Sequence, residues 1–205
     1  MTLFVLKLGG SLFDKAPEVL RRVANSGADV LVVPGGGPFA GLIRDIDKER
    51  RLSEDAAHWM AVLAMDQYAY YLHDKTGIEL TPLLVRKKGI RIILPYEVLR
   101  RQDELPHSWD VTSDTIAAWM AYKTGAGLIK ATDVDGVTLE GCLQQAIDAS
   151  ALKGIETCVD LALPGFLIDH GMGALVVNGL VEGRLEDALK GKQVIGTYIT
   201  SKNHV

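Results

Sequence analysis

The segment Lys7-Leu8-Gly9-Gly10-Ser11 places one cation, two glycines and a hydroxyl at the end of an apolar run. Glycines let a backbone approach an anion closely, and a helix that follows offers free N–H groups and the positive end of its dipole. Lys7 adds a point positive charge beside these donors. The segment is therefore suited to binding a phosphate group, although an ordinary strand-to-turn junction with a single lysine has the same composition.

Further glycine-rich and acidic segments follow other apolar runs of the chain. They are Gly35-Gly36-Gly37, the stretch 132–136 and Asn178-Gly179, and Thr112-Ser113-Asp114 opens a predicted helix. In open parallel sheets, ligands bind beyond the carboxyl ends of the strands, so these segments are expected to meet at one edge. Together they predict a phosphorylated ligand more specifically than any one of them alone.

The elements that must position these segments alternate between strand and helix. Strands are predicted over 4–8, 29–33, 83–85, 90–94, 128–131, 174–177 and 196–199. Helices are predicted over 17–26, 39–48, 53–75, 95–101, 112–125, 143–150, 158–170 (bent or split at Pro164) and 184–190. The strands are continuously apolar, which is typical of a parallel sheet with both faces covered. The order predicts an α/β sandwich with a mainly parallel central sheet, and we expect residues 1–205 to form a single domain.

Composition narrows the class of protein. The 205 residues are 48% hydrophobic, enough for a sizeable core, and the formal net charge of -4 argues against a nucleic-acid partner. Cys142 and Cys158 lie 16 residues apart without a histidine at ligand spacing, so we expect reduced, buried thiols rather than zinc ligands or a disulfide. The sequence contains no signal peptide and no membrane-spanning run, which predicts a soluble cytoplasmic protein with no membrane partner.

Two common phosphate-binding motifs do not account for the sequence. The pattern G-x-x-x-x-G-K-[ST] is absent, which excludes a Walker-type NTPase. Gly35-x-Gly37-x-x-Ala40 fits the loose dinucleotide pattern, with Glu54 and Asp55 near the expected acidic position. That pattern follows the second strand rather than the first, however, and a dinucleotide dehydrogenase would leave Lys7 unexplained.

The set of motifs resembles the amino acid kinase family over nearly the whole chain. The matching segments are Lys7-x-Gly9-Gly10-Ser11, Gly35-Gly36-Gly37, Thr132-Asp133-Val134-Asp135-Gly136-Val137 and Gly196-Thr197, in the family's order. The resemblance implies an αβα three-layer sandwich that transfers the γ-phosphoryl group of ATP, with Mg²⁺, to a carboxylate, carbamate or phosphate. Such a reaction depends on positioning and on neutralising charge, for which lysines and backbone N–H groups are suited.

The resemblance also implies roles for individual residues. Lys7 and Gly9, Gly10 and Ser11 would hold the transferring phosphoryl group, and Gly35, Gly36 and Gly37 would face the acceptor. Thr132, Asp133, Asp135 and Gly136 would belong to the nucleotide side, and Asp114 would orient the phosphate-binding lysines. Lys130, directly before Ala131-Thr132-Asp133, would be the second catalytic cation, as in the uridylate kinase form of the motif, or else a surface lysine. Residues 141–160 lack the Gly-Gly-Met segment and downstream lysine of the larger kinases.

Within the family, the segments 94–97 and 106–114 are most similar to the branch that phosphorylates an aminomethylfuran phosphate in methanofuran biosynthesis. This resemblance implies an acceptor that is a small phosphomonoester and a product that is a diphosphate. Trp109 could cover a flat furan ring and Asp110 could pair with an aminomethyl cation, or Trp109 could be core and Asp110 a helix cap. Thr112 and Ser113 are expected to face the substrate as well.

Other functions are compatible with the same motifs. Lys130-Ala131-Thr132 also permits a uridylate kinase or an isopentenyl phosphate kinase, and a nucleotide- or oxyanion-binding assembly without turnover could use the same fold. The predicted helix over 53–75 has an apolar stripe wider than a surface helix needs, which indicates a homo-oligomer.

Overall fold

In the computed structural model, residues 2–201 are described and form ten strands and seven α-helices. The strands are β1 (Leu3–Leu8), β2 (Asp29–Pro34), β3 (Leu80–Thr81), β4 (Ile90–Ile93), β5 (Gly127–Thr132), β6 (Thr138–Leu139), β7 (Cys142–Leu143), β8 (Ala146–Asp148), β9 (Ala174–Asn178) and β10 (Thr197–Thr200). The helices are α1 (Ala16–Asn25), α2 (Gly37–Arg50), α3 (Glu54–Thr76), α4 (Pro95–Leu99), α5 (Ser113–Thr124), α6 (Leu163–Asp169) and α7 (Arg184–Leu189).

The sheet has eight strands in the order β3-β4-β2-β1-β5-β9-β10-β8. All neighbouring pairs are parallel except β9 and β10, and β6 and β7 form a separate hairpin. The predicted α/β fold with a mainly parallel sheet is therefore confirmed. Because β1, β2, β5 and β9 run in the same direction, the segments that follow them lie along one edge of the sheet, as the sequence predicted.

Helices cover both faces of the sheet, and successive residues of β1 pack on opposite sides. Val5 belongs to the core that includes α5 and α6, whereas Leu6 and Leu8 belong to the core that includes α1 and α7. This alternation is the ordinary period of a strand, and it directs Lys7 to the α5 side. The same alternation places Lys130 of β5 on that side, since Leu128 packs with the α5 core.

Several predicted elements have the expected bounds within one or two residues. The long helix α3 begins after Ser53, whose hydroxyl accepts a hydrogen bond from the backbone N–H of Ala56 at 3.2 Å. It ends at Gly77, which has φ +71°, a conformation that favours glycine. Helix α5 likewise begins after Thr112 and ends at Gly125. Within residues 2–201, no helix has the combined length and apolar character that a membrane span requires.

Three predictions of secondary structure and one of burial were wrong. Residues 83–85 are not a strand, because Pro82 follows β3 and offers no N–H for further pairing with β4. Residues 143–150 are not a helix; they contain β8, whose pairing with β10 outweighs the local helical pattern. The helix predicted over 158–170 covers only Leu163–Asp169, with Pro164 in its first turn. Both cysteines are free, but Cys142 is exposed and Cys158 half-buried, whereas both were expected to be buried.

Candidate active site

Lys7 and Lys130 are neighbours across the centre of the sheet. They are register partners on the parallel strands β1 and β5, and each is only 6% exposed. Two ammonium groups on directly opposite residues of neighbouring strands repel each other, and their burial adds a desolvation cost. The pair therefore requires a compensating anion.

Asp114 is that anion. It stands in the first turn of α5, which packs over β1 on the face to which both lysines point. Its Oδ1 lies 2.8 Å from Nζ of Lys7, and its Oδ2 lies 2.6 Å from Nζ of Lys130. One carboxylate thus connects both ammonium groups and fixes their separation. The structure brings together the three residues to which the sequence assigned catalytic roles, and those roles stay predictions.

The neighbouring charges shift the pKa values of Asp114 and Lys7. Burial alone would raise the pKa of Asp114, but the two lysines outweigh burial and hold that pKa at about 2. Burial lowers the pKa of Lys7 below its usual range, with Lys130 adding to the effect and Asp114 opposing it. The arrangement therefore holds an ionised carboxylate between two lysine amino groups beside the edge of the sheet.

Asp160 is a second carboxylate that holds the start of α5, and the sequence did not indicate it. Its side chain accepts hydrogen bonds from the backbone N–H groups of Thr112 at 2.9 Å and Thr115 at 3.0 Å. It also accepts from both threonine hydroxyls and from the N–H of Leu163. The backbone N–H of Asp160 donates to Asp114 at 3.1 Å. Asp160 therefore links the start of α6 to the start of α5 and to the ion triad.

We expect Asp160→Ala to lower the free energy of unfolding by about 3 kcal/mol, because five donors lose one charged acceptor at a helix N-terminus. Urea denaturation measures the change. The control is Asp169→Ala, at an exposed position of α6, which should change stability little. Equal stabilities of the two variants would contradict the role given to Asp160.

The glycine segments after β1 and β2 pack against each other. A Cβ on Gly10 would lie 3.1 Å from the backbone nitrogen of Gly37, and a Cβ on Gly35 would lie 3.0 Å from the nitrogen of Gly10. A Cβ on Gly9 would lie 2.9 Å from the carbonyl oxygen of Ala131. The glycines therefore permit close approach of three strand ends, and Gly36 caps α2 with no side-chain hydrogen bond to the helix's first N–H groups.

The acidic segment after β5 lies beside the first glycine turn. The hydroxyl oxygens of Ser11 and Thr132 are 3.5 Å apart, and the Thr132 hydroxyl donates to Asp133 at 3.2 Å. A hydrogen bond from Ser11, reinforced by Thr132, keeps the pKa of Asp133 below its usual range. Asp135 lies farther out and accepts from Arg184 at 2.5 Å.

Gly136 belongs to the same segment, and its lack of a side chain allows close packing against Thr197. A Cβ there would lie 3.0 Å from the backbone nitrogen of Thr197, so the β5–β6 connection could not pass beside β10 with a larger residue. The Thr197 hydroxyl accepts from the N–H of Val137 at 2.8 Å, which ties the two segments together.

A cavity of about 430 Å³ opens beside Lys7, between α2, α3 and the start of α5. Its lining includes many of the residues proposed from sequence: Lys7, Gly10, Ser11, Gly36, Gly37, Trp109, Thr112 and Ser113. Arg44, Asp47, Glu54 and His58 also line it, and the sequence patterns did not single out Arg44, Asp47 or His58. The cavity thus begins at the glycine segments and the buried lysine and extends along the facing helices.

Trp109 lines the cavity, whereas Asp110 does not. The indole N–H of Trp109 donates to Asp47 at 2.7 Å, and the guanidinium of Arg44 lies 4.9 Å from the ring centroid. The indole is therefore a fixed wall of the cavity. Asp110 is exposed and is not part of the cavity lining; its carbonyl oxygen accepts from the N–H of Ala162 at 3.1 Å.

The structure resembles solved kinases over almost its whole length. The uridylate kinase of Archaeoglobus fulgidus superimposes with a TM-score of 0.72 at 18% identity, covering 98% of this chain and 100% of that one. The aspartate kinase of Synechocystis superimposes with a TM-score of 0.68 at 12% identity, covering 98% of this chain and 40% of that one. These likenesses show a common fold.

Sequence comparison gives nearer relatives. The chain is 35% identical to the [5-(aminomethyl)furan-3-yl]methyl phosphate kinase of Methanocaldococcus jannaschii, covering 95% of this chain and 96% of that protein. It is 29% identical to the uridylate kinase of Mycolicibacterium vanbaalenii, covering 96% and 91%. No family model matches the chain. The full-length likeness to kinases in sequence and fold defines an ATP-dependent kinase. The chain belongs to the amino acid kinase family.

Proposed function

We propose that the protein transfers the γ-phosphoryl group of ATP to a small phosphomonoester and so makes a diphosphate, with [5-(aminomethyl)furan-3-yl]methyl phosphate as the acceptor in methanofuran biosynthesis. The observation that carries the proposal is the buried Lys7–Asp114–Lys130 triad at the sheet edge, with a cavity opening beside Lys7. The 35% identity to a kinase of that name, over nearly the full length of both chains, supports this choice of acceptor.

In the proposed reaction, an oxygen of the acceptor phosphate forms a bond to the γ-phosphorus while the bond from that phosphorus to the β–γ bridging oxygen breaks. The electron pair of the broken bond stays on ADP. An acceptor phosphomonoester carries close to two negative charges at pH 7, so its oxygen needs no general base. The task of the protein is to hold two anionic groups together and to stabilise charge on the transferring group.

Lys7 and Lys130 supply that charge in the proposal, with Asp114 fixing the position of both ammonium groups. The backbone N–H groups of Gly10 and Ser11 would add donors beside Lys7, whereas the N–H of Gly9 donates to the carbonyl oxygen of Ala131 at 2.9 Å. Because Lys7 lines the cavity and Lys130 is not part of that lining, we assign Lys7 to the transferring group and Lys130 to the nucleotide side.

The segment after β5 is suited to the nucleotide. Mg²⁺, when bound with ATP, neutralises charge on the nucleotide phosphates, and it prefers oxygen ligands. The carboxylate of Asp133, beside Ser11 and Thr132, is an oxygen donor of this kind and fits the ion. The carboxylate of Asp135 is paired with Arg184 and would have to exchange that partner to bind the ion. Gly136 would allow the backbone to pass close to β10 at this site.

The cavity fits an acceptor with a phosphate at one end and a flat ring at the other. Gly36 and Gly37 at the start of α2 would face the acceptor phosphate, whereas Thr112 and Ser113 lie at the start of α5. Trp109 offers an aromatic wall for a ring. The carboxylates that line the cavity are Asp47 and Glu54, so they replace Asp110 in our proposal as the negative charges available to an aminomethyl cation.

A coupled assay of ADP release tests the proposal with three acceptors: the aminomethylfuran phosphate, uridylate and isopentenyl phosphate. We expect ADP and the corresponding diphosphate with the first compound at the highest kcat/KM. Preference for uridylate, which the 29% identity to a uridylate kinase supports as the second candidate, would reassign the acceptor. Binding of ATP by calorimetry with no transfer to any acceptor would indicate an assembly without turnover.

The cytoplasmic location and the homo-oligomeric state expected from the sequence stay predictions. Helix α3 leaves Leu63 and Tyr70 exposed. Val62 and Met65 of the same helix pack in one core, and Tyr68, Ala69 and Leu72 in the other. Light scattering at several concentrations measures the oligomeric state directly.

A further inference from the structure

Two histidine rings stack at the wall of the cavity. The ring centroids of His58, in α3, and His107, in the segment between α4 and α5, are 4.0 Å apart with an interplanar angle of 13°. His58 is only 7% exposed and lines the cavity, yet neither of its ring nitrogens has a hydrogen-bond partner within residues 2–201. Neither nitrogen is fully enclosed by the protein, so a ligand in the cavity can reach this imidazole and hydrogen-bond it.

His107 is fixed on both sides. Its Nδ1 lies 2.6 Å from a carboxylate oxygen of Asp55, and its Nε2 lies 2.9 Å from one of Asp103. Trp59 contacts the same ring edge-on, with centroids 5.4 Å apart. Partial burial opposes protonation of His107, but the hydrogen bonds to the two carboxylates outweigh it and raise its pKa above the usual range. His107 thus holds the segment that carries Trp109 against α3 and presents a rigid surface to His58.

His58 has the opposite protonation behaviour. Burial, with a further contribution from the charge on His107, lowers the pKa of His58 to about 4, although Asp103 and Asp55 oppose the shift. At pH 7 the ring is therefore neutral and offers one N–H donor and one nitrogen acceptor. A neutral imidazole does not repel a cationic ligand, whereas an imidazolium would.

The same side chains are a poor metal site. Ligand atoms of His58, Asp103 and His107 lie within 4.8 Å of one another. A metal ion bound by two imidazoles lies near the plane of each ring, however, and two nearly parallel planes 4.0 Å apart do not meet at one ion. Both ring nitrogens of His107 are already paired with Asp55 and Asp103. Of the two histidines, only His58 therefore has ring nitrogens available to a ligand.

His58 lies toward the end of the cavity that is remote from Lys7. Helices α2 and α3 form a hairpin joined by residues 51–53, so the first turns of α3 lie beside the last turns of α2. Glu54 and Asp47 mark that end, and His58 is about one helical turn from Glu54. The cavity therefore runs from cations and backbone donors at the glycine segments to carboxylates and a neutral histidine at the far end.

We propose that His58 is a specificity-determining residue of the acceptor site: one of its ring nitrogens hydrogen-bonds the polar group at the non-phosphate end of the acceptor, and His107 holds its ring in position. This inference rests on the proposed function, for which that polar group is the aminomethyl ammonium. The unprotonated nitrogen of His58 accepts from the ammonium, and Glu54 and Asp47 supply negative charge around it.

The test compares two acceptors, the aminomethylfuran phosphate and the matched furan phosphate that lacks the aminomethyl group. Wild-type protein should prefer the amine by about 10–100-fold in kcat/KM, the range for a hydrogen bond to a charged group. His58→Phe keeps an aromatic ring on His107 and should abolish this preference, mainly through the acceptor KM, without changing the KM for ATP. His58→Gln retains an acceptor atom and should restore part of the preference. His73→Gln, at the far end of α3, is the control and should behave as wild type.

The outcomes separate the two proposals. If wild-type protein turns over neither furan compound, the proposed function fails and the inference fails with it. If wild-type protein prefers the amine and His58→Phe keeps that preference, or if the variant loses activity on both acceptors in equal proportion while His58→Gln does the same, His58 is structural and the inference is wrong.

Discussion

Replacing Lys7 by methionine should lower kcat by about 100–1,000-fold while the protein stays folded. A preorganised charge aimed at the transferring group contributes about 3–4 kcal/mol to transition-state stabilisation when removed singly. Lys7 is the cation that lies both on the triad and on the cavity wall. Methionine has nearly the same length and no charge, so the packing around β1 is kept.

The fold is expected to survive because Asp114 keeps its second partner, Lys130, at 2.6 Å. Circular dichroism and thermal unfolding check this, and single-turnover kinetics with saturating ATP separate the chemical step from binding. Lys75→Met, at the exposed C-terminal end of α3, is the control and should retain wild-type turnover. A folded Lys7→Met protein with a kcat within tenfold of wild type would show that Lys7 does not stabilise the transferring group.

The sequence predicted the centre of the fold well because local and tertiary preferences agree there. The apolar runs of β1, β2 and β5 are buried on both faces, which is the environment that such runs indicate. The prediction failed over residues 143–150, where β8 exists only by pairing with β10, about fifty residues later. No pattern within an eight-residue segment records such a partner.

The candidate site could be predicted where its residues lie near the end of a strand or at the start of a helix. Lys7 lies one residue before the end of β1, and Lys130 lies two residues before the end of β5. Asp114 lies in the first turn of α5, which Thr112 caps. Their meeting is a consequence of register and of side-chain alternation along the strands. The resemblance to a kinase family supplied the roles that spacing alone could not.

Asp160, His58 and His107 could not be assigned in this way. Asp160 accepts hydrogen bonds from residues that lie 45 to 48 positions earlier in the chain. The stacked histidines are 49 positions apart. Asp160 carried a weak local signal, since it lies three residues before the N–H of Leu163 that it caps, with Pro164 next. For the histidines, only the packing of the segment before α5 on α3 brings the rings together.

Asp114→Asn should lower the free energy of unfolding by about 4 kcal/mol at pH 7 and reduce turnover at least 100-fold. Asparagine keeps the size of the side chain but leaves Lys7 and Lys130 as two buried like charges without an anion. Removing one partner from a buried ion pair costs about 3–5 kcal/mol, because the remaining charge is uncompensated. The lysines would also lose the atom that fixes their separation, so both the stability and the chemistry depend on this carboxylate.

The difference in the free energy of unfolding between wild-type protein and Asp114→Asn should become smaller as the pH falls. The pKa of Asp114 is depressed in the folded protein, so its contribution is complete above about pH 4 and is lost as the pH falls toward 2. The fall of that pKa from 3.8 to about 2 corresponds to about 2 kcal/mol of stability. Wild-type protein loses this contribution in acid, whereas the asparagine variant has none to lose. The difference between the two proteins should therefore shrink by about 2 kcal/mol between pH 5 and pH 2.

Urea denaturation of both proteins at pH 7, 5, 3 and 2 measures the difference directly. Asp45→Asn, on the exposed side of α2, controls for the general effect of removing a carboxylate, and it should change the free energy of unfolding little. A constant deficit for Asp114→Asn across this range would mean that the lysines do not hold Asp114 ionised. In that case Asp114 would not be the anion that compensates Lys7 and Lys130, and the role given to it in the triad would be wrong.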